Sequence, residues 1–231
     1  MAAARAARPK RPSLDREVII EAALQLSQQP DVDAMSFRAL GRELGADPTA
    51  VYRYFRDRNE LVEACLDRII GQAAATGALA PTWRERLLAA AEAYLALSEE
   101  HPVLGAEAGH RTTGGPGELA MLELILAALR EAGLSRQDAV RYYPLLAGYA
   151  AAMAAANAAY LLQDDRALTT QERIWVSTWG LLDPAEHPTA VELREELAVL
   201  RTQQVFRSGL ELLLDAVEAT VARTTPGIAE G

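Results

Sequence analysis

The sequence predicts an all-α fold: an N-terminal helix-turn-helix domain of three helices, followed by a helical bundle. Three observations carry that expectation. Apolar residues recur at three- and four-residue intervals, whereas the alternation of Val, Ile or Thr with polar residues that marks a half-buried strand is scarce. Most of these apolar runs are preceded by Ser, Thr or Asp and several are followed by Gly or Pro, the residues that start and stop helices. Half of the 231 residues are apolar, enough to bury a core without staples, and the single cysteine, Cys65, leaves no disulfide framework.

Residues 1–13 contain Arg5, Arg8, Lys10 and Arg11 and no acid, and read as a disordered basic arm. A first helix follows from Val18, Ile19, Ala22, Ala23 and Leu26, and Pro30 ends it. Ser36 is placed to cap a second helix that runs to Leu44, with Gly45 as its left-handed stop. Asp47 as N-cap and Pro48 at the first position open a third helix of about two turns. Asp57 and Glu60 form a capping-box pattern for a fourth, through Leu61, Cys65, Leu66, Ile69 and Ile70. Thr82 with Glu85 opens a fifth, to about Ser98, and Pro102 follows it.

The stretch 110–117 (HRTTGGPG) reads as a loop, because three glycines and a proline cannot continue a helix. Helices are expected over about 118–131 and 136–163, the second capped by Ser135. Thr169 with Glu172 and Thr189 with Glu192 are further capping-box patterns. A last helix covers about 197–222, and 224–231 form a disordered tail. The expected division is an arm at 1–13, a helix-turn-helix domain at 14–62, a larger helical domain at 63–223, and the tail.

Charge is divided in the same way. The net charge is -9, yet residues 1–70 hold 11 basic and 11 acidic groups, so the whole deficit lies in the remainder. A neutral N-terminal segment can still present a basic face to nucleic acid. No run is long and apolar enough to span a bilayer, and a cytoplasmic location is expected. Nothing supports an enzyme: there is no Gly-rich phosphate loop after a strand and no metal-ligand spacing.

Residues 36–58, SFRALGRELGADPTAVYRYFRDR, carry the mechanical signal. Leu40, Leu44, Val51 and Phe55 point inward, so the second and third helices pack across a tight turn at Gly45, Ala46 and Asp47. On the third helix Thr49, Tyr52, Arg53 and Arg56 then share the arc opposite Val51. Here the sequence resembles the TetR family, in which a short recognition helix is followed by an aromatic pair and a basic residue. The elements are Val51-Tyr52-Arg53-Tyr54-Phe55 and Arg58, followed by Asn59-Glu60-Leu61, and the resemblance covers about residues 14–70. It implies that Ser36, Arg38, Thr49, Tyr52, Tyr54 and Arg58 contact phosphates or bases, with Pro48 and Arg53 near base edges.

A second resemblance lies at 205–214 (VFRSGLELLL), which looks like the final helix of tetracycline repressors. It implies a four-helix bundle with a dimer mate, for which Phe206, Gly209, Leu210, Leu213, Leu214 and Val217 supply an apolar stripe. The alanine-rich run 150–159 suits either a dimer seam or a cavity wall. For the sensor cavity the expected residues are Tyr94, His110, Tyr142, Tyr149, Met153, Asn157, Trp175 and Trp179, with Trp83, His101 and Tyr143 as further candidates. Tetracycline repressors hold a drug-bound magnesium ion with a histidine before the central loop and a glutamate of the long helix. His110 is near the first position, but the long-helix stretch reads Tyr160-Leu161-Leu162-Gln163, so neither metal nor cofactor is expected. The resulting expectation is a homodimeric repressor that binds palindromic double-stranded operator DNA and is released by a small hydrophobic or aromatic, neutral or weakly charged effector. A helical protein-binding adaptor and an activator of the same fold stand as alternatives.

Overall fold

The computed structural model describes residues 14–29, 31, 33–163, 180–199 and 201–224. Among them there are helices and turns and no strand: α1 (Arg16–Ser27), α2 (Phe37–Leu44), α3 (Pro48–Val51), α4 (Arg58–Ala78), α5 (Trp83–Glu100), α6 (Pro102–Ala108), α7 (Pro116–Glu131), α8 (Arg136–Leu161), α9 (Pro188–Glu192), α10 (Arg194–Ala198) and α11 (Thr202–Thr224).

The starts of these helices follow from single side chains. Asp15, Ser36, Asp47, Asp57, Thr82 and Ser135 each accept a hydrogen bond from a backbone N–H of the first turn they precede. A cap of this kind contributes about 1 kcal/mol. Thr82 and Glu85 complete a reciprocal capping box, whereas Glu60 reaches past Asp57 to accept from the N–H of Arg56. Gly45 closes α2 at φ 58°, a left-handed conformation open to glycine without strain.

Several boundaries differ from the sequence expectation, and proline explains most of them. Pro102 does more than end α5: at the first helical position, where its missing N–H is no loss, it starts α6. Pro116 likewise begins α7 two residues early and shortens the loop. Pro188 opens α9 after His187, so Thr189 lies inside that helix and forms no capping box with Glu192. The last helix begins at Thr202 rather than near Leu197, and α3 is one turn rather than two. The pair Thr169 and Glu172 lies outside the described residues.

α1, α2 and α3 close around Ile19, Ala23, Leu40, Val51 and Phe55, all buried. α4 runs on unbroken from this head and packs between α5 and α7, while α8 lies on α5, α6 and α7, and α11 lies on α8 and α5. α6 crosses α8 closely because Gly105 has no side chain: a β-carbon there would sit 2.6 Å from that of Ala158.

His101 joins the head to the rest of the molecule. Buried at the junction of α5 and α6, its Nδ1 lies 2.9 Å from the Ser27 hydroxyl and 3.1 Å from the Leu24 carbonyl, both on α1. Burial lowers its pKa, outweighing the opposing pull of Glu100 and the Leu24 carbonyl. The unfolded chain therefore binds this proton more tightly than the folded one, and stability rises with pH between the folded and unfolded values. We expect the urea midpoint to fall as pH drops below about 6.5, the unfolded value for histidine. His101→Gln should flatten that part of the profile; an unchanged slope in the variant would assign the effect elsewhere.

Candidate nucleic-acid interface and sensor cavity

The recognition surface is built at the turn between α2 and α3. The Asp47 carboxylate accepts both the Thr49 hydroxyl at 2.7 Å and the Thr49 N–H at 2.8 Å, which hold its pKa below the usual carboxylate range. The third helix is thereby locked at its first turn. Beyond it Tyr52 is 60% exposed, its ring edge-on to Phe37 with centroids 4.7 Å apart. Thr49, Tyr52, Arg53 and Arg56 are exposed, as are Pro48 at the start of α3 and Arg38 and Arg42 on α2. Arg38, Arg42 and Arg53 form no ion pair among the described residues, while Arg56 pairs with Glu60. The surface thus offers uncommitted guanidiniums, a phenol and a hydroxyl beside one another.

Three of the expected contact residues are placed otherwise. The Ser36 hydroxyl is turned inward to cap α2, accepting from Ala39 N–H at 3.2 Å. Tyr54 is half-buried and its hydroxyl donates to the Leu14 carbonyl, tying the start of α1 to the end of the recognition unit. Arg58 reaches away from the recognition surface to Glu107 on α6, at 3.2 Å.

Behind the head, a cavity of about 160 Å³ lies within the bundle. Ile70, Leu87, Met121, Ile125, Leu146 and Leu210 give it apolar walls, and alanines of α5 and α8 leave its space open. Tyr94, Tyr143, Arg111 and Glu118 are its polar lining. Arg111 is held by the Glu107 carboxylate at 2.7 Å and by Asn59 at 3.1 Å. Burial alone would raise the Glu107 carboxyl, but Arg111 and Arg58 together outweigh it and keep it below the usual range. A cavity-wall cation, a carboxylate and the first residue of α4 therefore form one ionic chain.

Of the residues expected from sequence, Tyr94 and, from the further candidates, Tyr143 line this cavity. Tyr142 and Tyr149 do not: they turn to α11, where Tyr142 bonds the Ala216 carbonyl at 3.0 Å and Tyr149 those of Val205 and Phe206. Backbone carbonyls of α11 give these phenols hydrogen-bond partners that an apolar void does not. His110 is exposed and 3.7 Å from Glu107, and the Asn157 amide donates to Glu99 at 2.8 Å. Met153 packs against the core outside the cavity wall. Trp175 and Trp179 lie outside the described residues. The walls supplied by α7, namely Glu118, Met121 and Ile125, are not among the residues expected from sequence; the available cue is the apolar spacing of α7 itself.

The stripe assigned to a dimer seam is also placed differently. Phe206, Leu210, Leu214 and Val217 are 0–1% exposed inside the chain's own core, and Gly209 faces Tyr149 so closely that a β-carbon would lie 2.1 Å from its hydroxyl oxygen. Leu213 is half-buried. A face already buried within one chain cannot also meet a second. Among the apolar residues that α8 and α11 leave exposed are Leu145, Gly148, Ala152 and Ala156, and Val205, Leu212 and Ala216.

Comparison with known proteins agrees with this geometry. The family described as "Bacterial regulatory proteins, tetR family" matches residues 19–65, and "Tetracyclin repressor-like, C-terminal domain" matches residues 77–221. The HTH-type transcriptional repressor DrrR1 of Streptomyces coeruleorubidus is 27% identical, over 95% of this chain and 83% of its own. The transcriptional regulator SCO7222 of Streptomyces coelicolor, a TetR protein, is 25% identical with a TM-score of 0.73, covering 90% of this chain and 99% of that one. ActR of the same organism, solved in complex with actinorhodin, shares the fold at 21% identity and a TM-score of 0.75, over 90% and 97% of the two chains. With a family match over most of its length and a helix-turn-helix at its start, this chain belongs to the TetR family of transcriptional regulators.

Proposed function

We propose that the chain is a homodimeric repressor which binds palindromic operator DNA through α3 and is released by a small, largely apolar organic molecule in the cavity. One observation carries the reading: α4 begins at Arg58 beside the recognition unit and supplies Ile70 to the cavity wall. A single rigid helix thus joins the reading head to the sensor. A ligand that favours one setting of α4 shifts the population of DNA-competent molecules by its difference in affinity for the two settings. The chain of Arg111, Glu107 and Arg58 couples the same two regions by charge. That ActR, of the same fold, is solved with actinorhodin supports an organic effector. Dimerisation is assigned to the outward faces of α8 and α11.

On an operator selected from random sequence, Arg53→Ala should weaken binding by about 1 to 3 kcal/mol and relax preference at the bases it faces. Arg58→Ala, which breaks the contact to Glu107 and leaves Arg53 in place, should keep base preference while reducing the response to effector. Unaltered affinity and preference in Arg53→Ala, measured by fluorescence anisotropy at fixed salt, would remove α3 as the reading element.

A further inference from the structure

The cavity is apolar except at a few points, and those points describe a ligand. Tyr94 is only 8% exposed, it lines the cavity, and its hydroxyl makes no hydrogen bond among the described residues. No side-chain polar atom of the described residues is both sealed and unpartnered, so this hydroxyl opens on the cavity itself. Burial pushes its pKa up to about 12, and it is therefore a hydrogen-bond donor at any physiological pH. A donor that opens on an apolar cavity and has no protein partner is available to an acceptor on a ligand.

Glu118 supplies the second point. Its Oε2 accepts from Thr113 N–H, the Thr113 hydroxyl and Gly114 N–H, each at 2.7 to 3.0 Å, while no cation lies in ion-pair range among the described residues. The Tyr143 phenol stands near enough for that charge, together with the larger effect of burial, to raise its pKa. Arg111, the one cation among the described lining residues, is already engaged by Glu107, by Asn59 and, at 3.8 Å, by Glu63. The cavity therefore carries a vacant donor at its buried tyrosine, a carboxylate lacking a counter-ion, and a neutralised cation.

We propose that the cavity takes a small aromatic amine, its ring held between the apolar walls, an ether or carbonyl oxygen accepting from Tyr94, and its ammonium group paired with Glu118. The inference rests on the cavity being the effector site and adds the chemistry of the effector. It replaces the neutral compound expected from sequence, because the carboxylate that decides the charge stands on α7. A volume of about 160 Å³ suits a single ring with small substituents, since a cavity of about 150 Å³ admits benzene. A carboxylate in the same place would face Glu118 with no unpaired cation among the described lining residues to offset it.

The test uses the full chain and three methoxybenzenes that differ at the para position: aminoethyl, hydroxyethyl and carboxyethyl. By calorimetric titration the amine should bind at least about tenfold more tightly than the acid, with the alcohol between them, a step of about 1.4 kcal/mol. E118Q should bring the amine-to-alcohol ratio to within about twofold, and Y94F should weaken all three by about three- to tenfold, the range of one hydrogen bond. Acid and amine binding equally to the unaltered chain, a comparison that depends on no variant folding, would overturn the proposal and leave an apolar cavity site standing. Binding of the amine that survives Ala151→Trp, which fills the cavity, would place it elsewhere and overturn both. Operator affinity measured on the same preparation tests the DNA-binding function separately.

Discussion

Leu212→Arg made together with Gly148→Arg should give a folded monomer that has lost most of its operator affinity. Leu212 is 69% exposed, and a β-carbon on Gly148 would meet nothing within 4 Å, so neither change disturbs the chain's own core. In the proposed dimer both positions fall on the helix faces that meet, where two solvated guanidiniums per subunit cannot be buried unpaired without a large cost. Two linked heads gain about 10²- to 10⁴-fold over one by effective concentration, and that factor is what the monomer should lose. Sedimentation velocity at micromolar concentration, circular dichroism and anisotropy together check it. A variant that remains dimeric with full operator affinity would move the interface off these faces.

Phe206→Ala should act in the opposite way, lowering stability by about 3 to 5 kcal/mol while leaving the subunits associated. Its side chain is 1% exposed and stacks on Tyr149 with ring centroids 5.9 Å apart, and Tyr149 in turn bonds the carbonyls of Val205 and Phe206. Truncation leaves a cavity at the contact of α8 with α11 and loosens that anchor. A chain of this size has about 5 to 15 kcal/mol in all, so chemical unfolding should read the loss plainly. A variant of normal stability that sediments as a monomer would return Phe206 to a subunit interface.

These two variants mark where the sequence was legible and where it was not. The periodicity of 205–217 reveals an apolar stripe, but a stripe looks the same whether it packs inside its own chain or against a copy. Only the placement of α8 beside α11 decides, and it assigns the stripe to the core and the outer residues to the solvent side. The helix-turn-helix was legible because its signals are local: a cap at Asp47, a left-handed glycine at Gly45 and inward residues four apart are all set within a few bonds of the chain. Even there Arg58 and Tyr54 escaped, since their partners Glu107 and Leu14 lie 49 and 40 residues away. The cavity was least legible. Its aromatic residues could be inventoried, but Tyr142 and Tyr149 found backbone carbonyls on α11, and Glu118 and Met121 entered from a helix with no aromatic residue to mark it.

The central claim is that two copies of this chain read a symmetric DNA site. Anisotropy of the unaltered protein on a palindrome selected from random sequence, against a shuffled duplex of the same length at one salt concentration, tests it most directly. A preference of at least about 10³-fold for the palindrome, the lower end of what specific regulators show, is expected, with a stoichiometry of two chains per site. Equal affinity for the two duplexes would contradict it.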